Sequence, residues 1–252
     1  MAVFLVADLV NQGPALASHQ APAPPTVLTR LRLETRAEHD AVERVLDLMG
    51  ASVTRQAYRQ RLALFYGFYA PLEAALRIRC TRPDERRDEA ALPLATLSPR
   101  LLKTALLRQD LHYLGVSADA LPLCRHLPSV QTQAELLGCM YVLEGATLGG
   151  RLITQHVQAT FGITPATGGS FFNGYASDTG TMWQAMRHLL TSCALDTQTE
   201  DAMVANAIAT FTCLRNWCDP RNACAAHNTQ NTHHNAEANQ RARKPEQHRA
   251  GG

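Results

Sequence analysis

The sequence predicts an all-α chain built around one folded domain, and three observations carry that expectation. Apolar residues recur at three- and four-residue spacing through six stretches. No segment shows the strict alternation of a half-buried strand. The composition, 46% apolar and 18% charged over 252 residues, is that of a soluble globular protein large enough to bury a core.

Residues 1–27 mix Pro, Ala, Gln and Ser, with Pro22, Pro24 and Pro25 close together, and are assigned to a flexible extension. From Leu28 the character changes. Leu31, Thr35, Glu38, Val42, Val45 and Met49 mark one face of a first helix, which Gly50 is placed to stop. In the second helix Tyr58, Leu62, Phe65, Tyr69, Leu72 and Leu76 form the cleanest amphipathic stripe of the chain. Pro71 sits within it and predicts a kink near residue 67. Residues 80–96 are charged and proline-interrupted, a connecting loop. A third helix runs from Leu97 to Leu111, with Pro99 at a tolerated early position. A long helix follows from about Gln131 to Phe161. Residues 162–175 read as loop, and two further helices cover Thr179 to Leu195 and Glu200 to Cys218. The helical domain is thus set at 28–218. Past Pro220 the chain turns to Asn, Gln, His and Arg, so 219–252 is assigned to a polar tail. His227, His233, His234 and His248 fall in that tail and are not taken as a metal site.

A net charge of +2 makes no case for nucleic acid or a membrane surface as partner. No uninterrupted apolar run approaches the roughly 20 residues that span a bilayer. The start Met1–Asp8 lacks a basic residue and carries an early acid, a poor secretory signal. Seven cysteines without metal-type spacing are expected to be reduced thiols, which places the protein in the cytoplasm.

The long helix holds the most specific feature. Gly145, Gly149 and Gly150 stand at i, i+4 and i+5, and each glycine inside a helix costs roughly 1 kcal/mol relative to alanine. Positions four apart lie above one another, so the face is a strip of bare backbone. Such a strip serves either close packing against another helix or the approach of a flat ligand. The first helix supplies a second feature, His39 preceded on one side by Arg36 and Arg32. Arg32 is seven residues away, about 10 Å along the helix axis. An imidazole for iron and guanidinium groups for carboxylates form the pairing that haem requires.

Four motifs in order carry a family resemblance. They are Leu31-x-x-x-Thr35-x-x-x-His39-x-x-x-Glu43, the run Leu137–Gly150 through Tyr141, Glu144 and Gly145, Phe171-Phe172-x-Gly174-Tyr175-x-x-x-Thr179-Gly180-x-Met182-Trp183, and Phe211-x-x-Leu214-x-x-Trp217. The chain resembles heme oxygenases, and among them the bacterial biliverdin-producing kind found beside bacteriophytochromes. The resemblance implies a single-domain helical bundle with haem sandwiched between a proximal and a distal helix. It makes His39 the proximal iron ligand and sets Glu43 beside it. Arg32 falls where the family meets a haem propionate, with Arg36 a weaker candidate. Gly145, Gly149 and Gly150 match the distal glycines. Phe172 and Trp183 are placed either in the haem pocket or in plain core, and Arg187 is a second propionate partner.

The implied activity is oxidative cleavage of haem to biliverdin, carbon monoxide and ferrous iron. Haem is then substrate and cofactor, O2 is consumed, and electrons come from an external reductase or ferredoxin. A bacteriophytochrome is the implied recipient of biliverdin. One departure stands out. Residue 146, where animal members carry an acid and bacterial ones usually a small hydroxyl, is Ala146, so the adjacent Thr147 is weighed as a helper in proton delivery. The alternative is a haem-binding or haem-storage protein on the same fold without turnover.

Overall fold

The computed structural model describes residues 25–50, 53–81 and 94–222, and among these it contains helices, turns and loops but no strand. The sequence expectation of an all-α single domain holds. The first predicted helix is two. Helix α1 spans Val27–Glu34 and α2 spans Arg36–Leu46, with a break at Thr35. There the Thr35 hydroxyl donates to the Leu31 carbonyl at 2.6 Å, and that oxygen also accepts from the Thr35 N–H at 3.2 Å. Helix α1 starts at Val27, inside the segment assigned to the extension, and the Thr26 hydroxyl caps it by accepting from the Thr29 N–H. Helix α2 stops before Gly50. Its C-cap is Asp47, in the left-handed region at φ 41°.

Helix α3, Arg55–Thr81, runs through Pro71. Pro71 has no N–H to give the carbonyl four residues back, which is that of Gly67. The backbone N–H of Cys124 donates to that carbonyl instead, at 2.8 Å. Gly67 has to be small for this loop to come so near, since a Cβ there would lie 2.5 Å from the Pro122 carbonyl oxygen. The predicted third helix begins later than expected. Leu94–Arg100, with Pro99 inside it, is a 3-10 turn, and α4 spans Lys103–Tyr113. The Glu73 carboxylate sets this start by accepting from the N–H groups of Lys103 and Thr104 at 2.8 and 3.1 Å.

Helix α5, Gln133–Phe161, opens on a Thr132–Glu135 capping box and closes on Gly162 at φ 67°. By length and composition it is apolar enough to cross a membrane, but 67% of that stretch is buried, as befits the central helix of a bundle. The loop expected at 162–175 contains a 3-10 turn at Pro165–Thr167 and one short α-helix, α6 at Ser170–Asn173. Helices α7, Thr179–Cys193, and α8, Thr197–Cys218, complete the bundle. Helix α8 lies along α5, and Gly138 makes the approach feasible: a Cβ there would sit 2.2 Å from the Met203 carbonyl oxygen. The Asn206 amide donates across the same seam to the Glu135 carbonyl. Six of the cysteines are among the described residues, and all six are free thiols. Most of the N-terminal extension, part of the 80–96 loop, and the tail beyond Asn222 with its four histidines and Cys224 lie outside the described residues.

Candidate functional site

A cavity open to solvent is lined by residues of α1–α2 and α5, with further side chains from α3, α4, α6, α7 and α8. Helix α2 turns Val42 and Leu46 into the core. His39, one turn before Val42, therefore presents its ring to the cavity wall. The imidazole packs edge-on against Phe211 of α8, with centroids 5.6 Å apart. Its Nδ1 lies 3.4 Å from an Asp40 carboxylate oxygen and its Nε2 4.0 Å from Glu43 Oε1. His39, Asp40 and Glu43 offer ligand atoms within 4.8 Å of one another, a donor set able to hold or orient a metal's ligand sphere. Arg32 and Arg36 are exposed and also line the cavity, so they form part of its rim.

Helix α5 contributes Tyr141, Gly145 and Ala146 to the wall. A Cβ at Gly145 would meet nothing nearer than the Trp183 ring at 3.9 Å. The apolar part of the wall includes Phe65, Phe171 and Phe172, whose rings stand 4.9 to 5.8 Å apart. Two of them ride on α6, a helix of four residues that cannot hold itself. Asp110 of α4 fixes it by accepting from the Ser170 and Phe171 N–H groups, both at 2.8 Å, and from the Ser170 hydroxyl at 2.7 Å. These bonds favour the anion, yet burial still lifts the Asp110 carboxyl above its ordinary range.

A polar cluster lies beside this apolar wall. Glu144, 2% exposed on α5, accepts from the Tyr175 hydroxyl at 2.8 Å and from Arg100 at 2.5 Å. Burial and the Glu144 charge push the Tyr175 phenol well above its usual range. Lys103, at the start of α4, is 3% exposed and lines the cavity. Its ammonium lies 4.9 Å from the Tyr175 ring centre. Burial lowers Lys103 to about 8, against the opposing pull of Glu144 and Glu73.

The residues singled out in the sequence divide into two groups. His39, Arg32, Gly145 and Phe172 line one cavity, as do Arg36 and Trp183. Glu43 stands beside the His39 ring without joining the described wall. Gly149 and Gly150 are buried and do not line it. Gly150 serves packing, because a Cβ there would fall 2.0 Å from the Phe172 carbonyl oxygen. Arg187, half-buried on α7, does not line it either.

A family model for heme oxygenase matches residues 26–219. The chain belongs to the heme oxygenase family. Haem is accordingly the ligand its family binds, and the chemistry of the cavity suits it: an imidazole, one bare position at Gly145 on α5, an aromatic wall and arginines at the rim. Solved structures share the fold. The nitric oxide- and carbon monoxide-bound heme oxygenase of Neisseria meningitidis superposes with a TM-score of 0.57 at 21% identity, over 77% of this chain and 92% of that one. The heme oxygenase of Leptospira interrogans gives 0.59 at 20% identity, over 77% and 98% of the two chains. Heme oxygenase 2 of Chlamydomonas reinhardtii, solved without heme, gives 0.58 at 17% identity, over 77% and 96%. A comparison with curated proteins finds no match.

Sequence reasoning gave no role to Lys103, Glu73, Arg100, Glu144 or Tyr175. A signal existed for three of them. Glu73 is one turn after Tyr69 on the apolar stripe of α3, and Lys103 is one turn before Leu107, which is fully buried. Glu144 interrupts an apolar run in α5. A charged residue on a buried face needs a partner or a purpose.

Proposed function

We propose that this protein cleaves haem oxidatively to biliverdin, carbon monoxide and ferrous iron, in the cytoplasm, with O2 and electrons from an external reductase or ferredoxin. The observation that carries the reading is that His39 of α2 and Gly145 of α5 line one cavity. Bound haem supplies the iron that activates O2 against its own ring. The protein's part is to hold and orient it. His39 is the residue to take the iron, with Glu43 and Asp40 near its ring nitrogens to orient the imidazole. Arg32 and Arg36 at the rim are suited to the two carboxylates. Phe65, Phe171 and Phe172 keep water from the ring. Gly145 leaves free the volume that a side chain would occupy, so a small ligand fits against the helix backbone. The sequence likeness to enzymes that accompany bacteriophytochromes favours a bacteriophytochrome as consumer of the bilin.

Ala146 favours a second reading, a haem carrier without turnover, because it brings no hydrogen-bonding group to the wall. Haem titration followed by aerobic incubation with ascorbate or a reductase separates the two. Turnover is expected to abolish the Soret band and yield a bilin whose isomer can be identified. An intact Soret band with no bilin would establish the carrier. His39→Ala is expected to abolish the ferric spectrum of the complex, and an unchanged spectrum would refute His39 as the ligand.

A further inference from the structure

Lys103 is the charged group of the cavity for which haem binding itself provides no use. Its ammonium has no hydrogen-bond acceptor among the described residues, and a buried donor left unpaired costs free energy unless something else accepts from it. Each nearby acid is already engaged. Glu73 of α3 spends its two oxygens on the N–H groups of Lys103 and Thr104. Glu144 of α5 is held by Arg100, from the turn before α4, and by Tyr175, between α6 and α7. Tyr175 offers Lys103 the face of its ring.

The backbone makes room for this ammonium. Gly174 has φ 53°, and a Cβ there would lie 3.3 Å from Lys103 Nζ and 3.7 Å from the Thr147 side chain. Thr147 follows Ala146 on α5 and also lines the cavity, so the ammonium stands on the glycine-helix side. Thr147 itself cannot fill the donor's place, because its hydroxyl donates to the Glu144 carbonyl at 2.6 Å.

We propose that Lys103 is the proton donor of this cavity, its ammonium hydrogen-bonding a water or small oxygen ligand held between the glycine helix and bound haem, where Ala146 has no side chain to do so. This inference rests on the haem-cleaving reading. The ammonium gives one proton to the ligand oxygen, and the resulting amine recovers one from solvent water entering by the mouth. No electron changes hands at Lys103. A group that titrates at about 8 suits the task, since it stays charged at neutral pH and gives its proton up readily.

The test uses the full chain loaded with ferric haem, and fluoride as the probe. Fluoride binds ferric iron as an anion that accepts hydrogen bonds. Lys103→Met is expected to weaken fluoride by about tenfold at pH 7, the loss of one charge-assisted hydrogen bond, with haem affinity unchanged. Lys103→Arg keeps the charge and should restore most of the difference. In the haem-free chain, the Lys103 side-chain signal, identified by its loss in Lys103→Arg during NMR of lysine-labelled protein, should titrate near 8. Equal fluoride affinity in wild type and Lys103→Met, or an ordinary lysine titration, overturns the proposal and leaves haem cleavage standing. Failure of the wild-type chain to bind haem overturns both.

Discussion

Gly145 and Gly150 stand five residues apart on α5, and the helix uses them for different ends. Around Gly150 the backbone of α6 comes so near that a Cβ would overlap the Phe172 carbonyl, whereas around Gly145 the nearest atoms are ring carbons of Trp183 at ordinary contact distance. The strip of bare backbone is therefore a joint at Gly150 and cavity wall at Gly145. The joint seats α6, and through it Phe171 and Phe172, against the central helix. The wall leaves the main chain at Gly145 open to the cavity. A run of small residues in a helix thus says only that something comes close, and the neighbouring element decides whether it is protein or ligand.

The largest effect should come from the joint. In Gly150→Ala the added methyl meets a backbone carbonyl at 2.0 Å, which no rotamer change relieves. The substitution is expected to cost about 3 kcal/mol or more, with α6 displaced. Urea denaturation reads the loss, and the haem-free protein should already show it. Wild-type stability would mean that α5 and α6 are not so closely joined.

The same contrast explains what was legible in the sequence. The all-α bundle follows from helical periodicity, and α5 announces its own start through Thr132 and Glu135. Spacing along one helix fixes which residues share a face, which suffices to set His39 one turn before Val42 and Gly145 on the α5 wall, whereas Arg32 reaches the same cavity from α1, across the break at Thr35. That Gly149, Gly150 and Arg187 stand off the cavity wall is not open to that reasoning, since it depends on which other segment lies alongside. Helix starts behave likewise. Asp110 holds α6 and Glu73 fixes the start of α4, and both are partners distant in sequence. At the Thr35 break the hydroxyl shares the Leu31 carbonyl with the backbone N–H, a local option that periodicity does not register.

The open end carries a burden absent from the packed end, and this gives the second prediction. Lys103 titrates at about 8 when folded, against 10.5 ordinarily. At pH 7 both folded and unfolded chains hold the proton, so the whole penalty of burying the charge stands. Between 8 and 10.5 the unfolded chain binds more protons than the folded one, so wild-type stability gains from this group as pH rises. Lys103→Met removes the charge and keeps most of the volume. It should stabilise the haem-free protein by about 3 kcal/mol at pH 7, with the advantage shrinking towards pH 10. Urea midpoints at the two pH values measure it. A variant less stable than wild type at both would show that the ammonium is well satisfied where it lies, and the cavity would then lose its claim to an unspent donor.

The smallest change in stability, and the sharpest test of the comparison, belongs to Gly145→Ala. The new methyl has space, with its closest contact at 3.9 Å. Relieving a helix-interior glycine should then raise stability by up to ~1 kcal/mol, a shift of roughly 2–4 °C in Tm for a domain of this size. In the haem complex the same methyl stands on the ligand wall, so fluoride and carbon monoxide should bind severalfold more weakly. Gly150→Ala should fail in the opposite order, by losing the fold before the ligand. If Gly145→Ala instead destabilised the haem-free chain, both ends of the strip would be joints. The flat ligand would then have to approach α5 elsewhere.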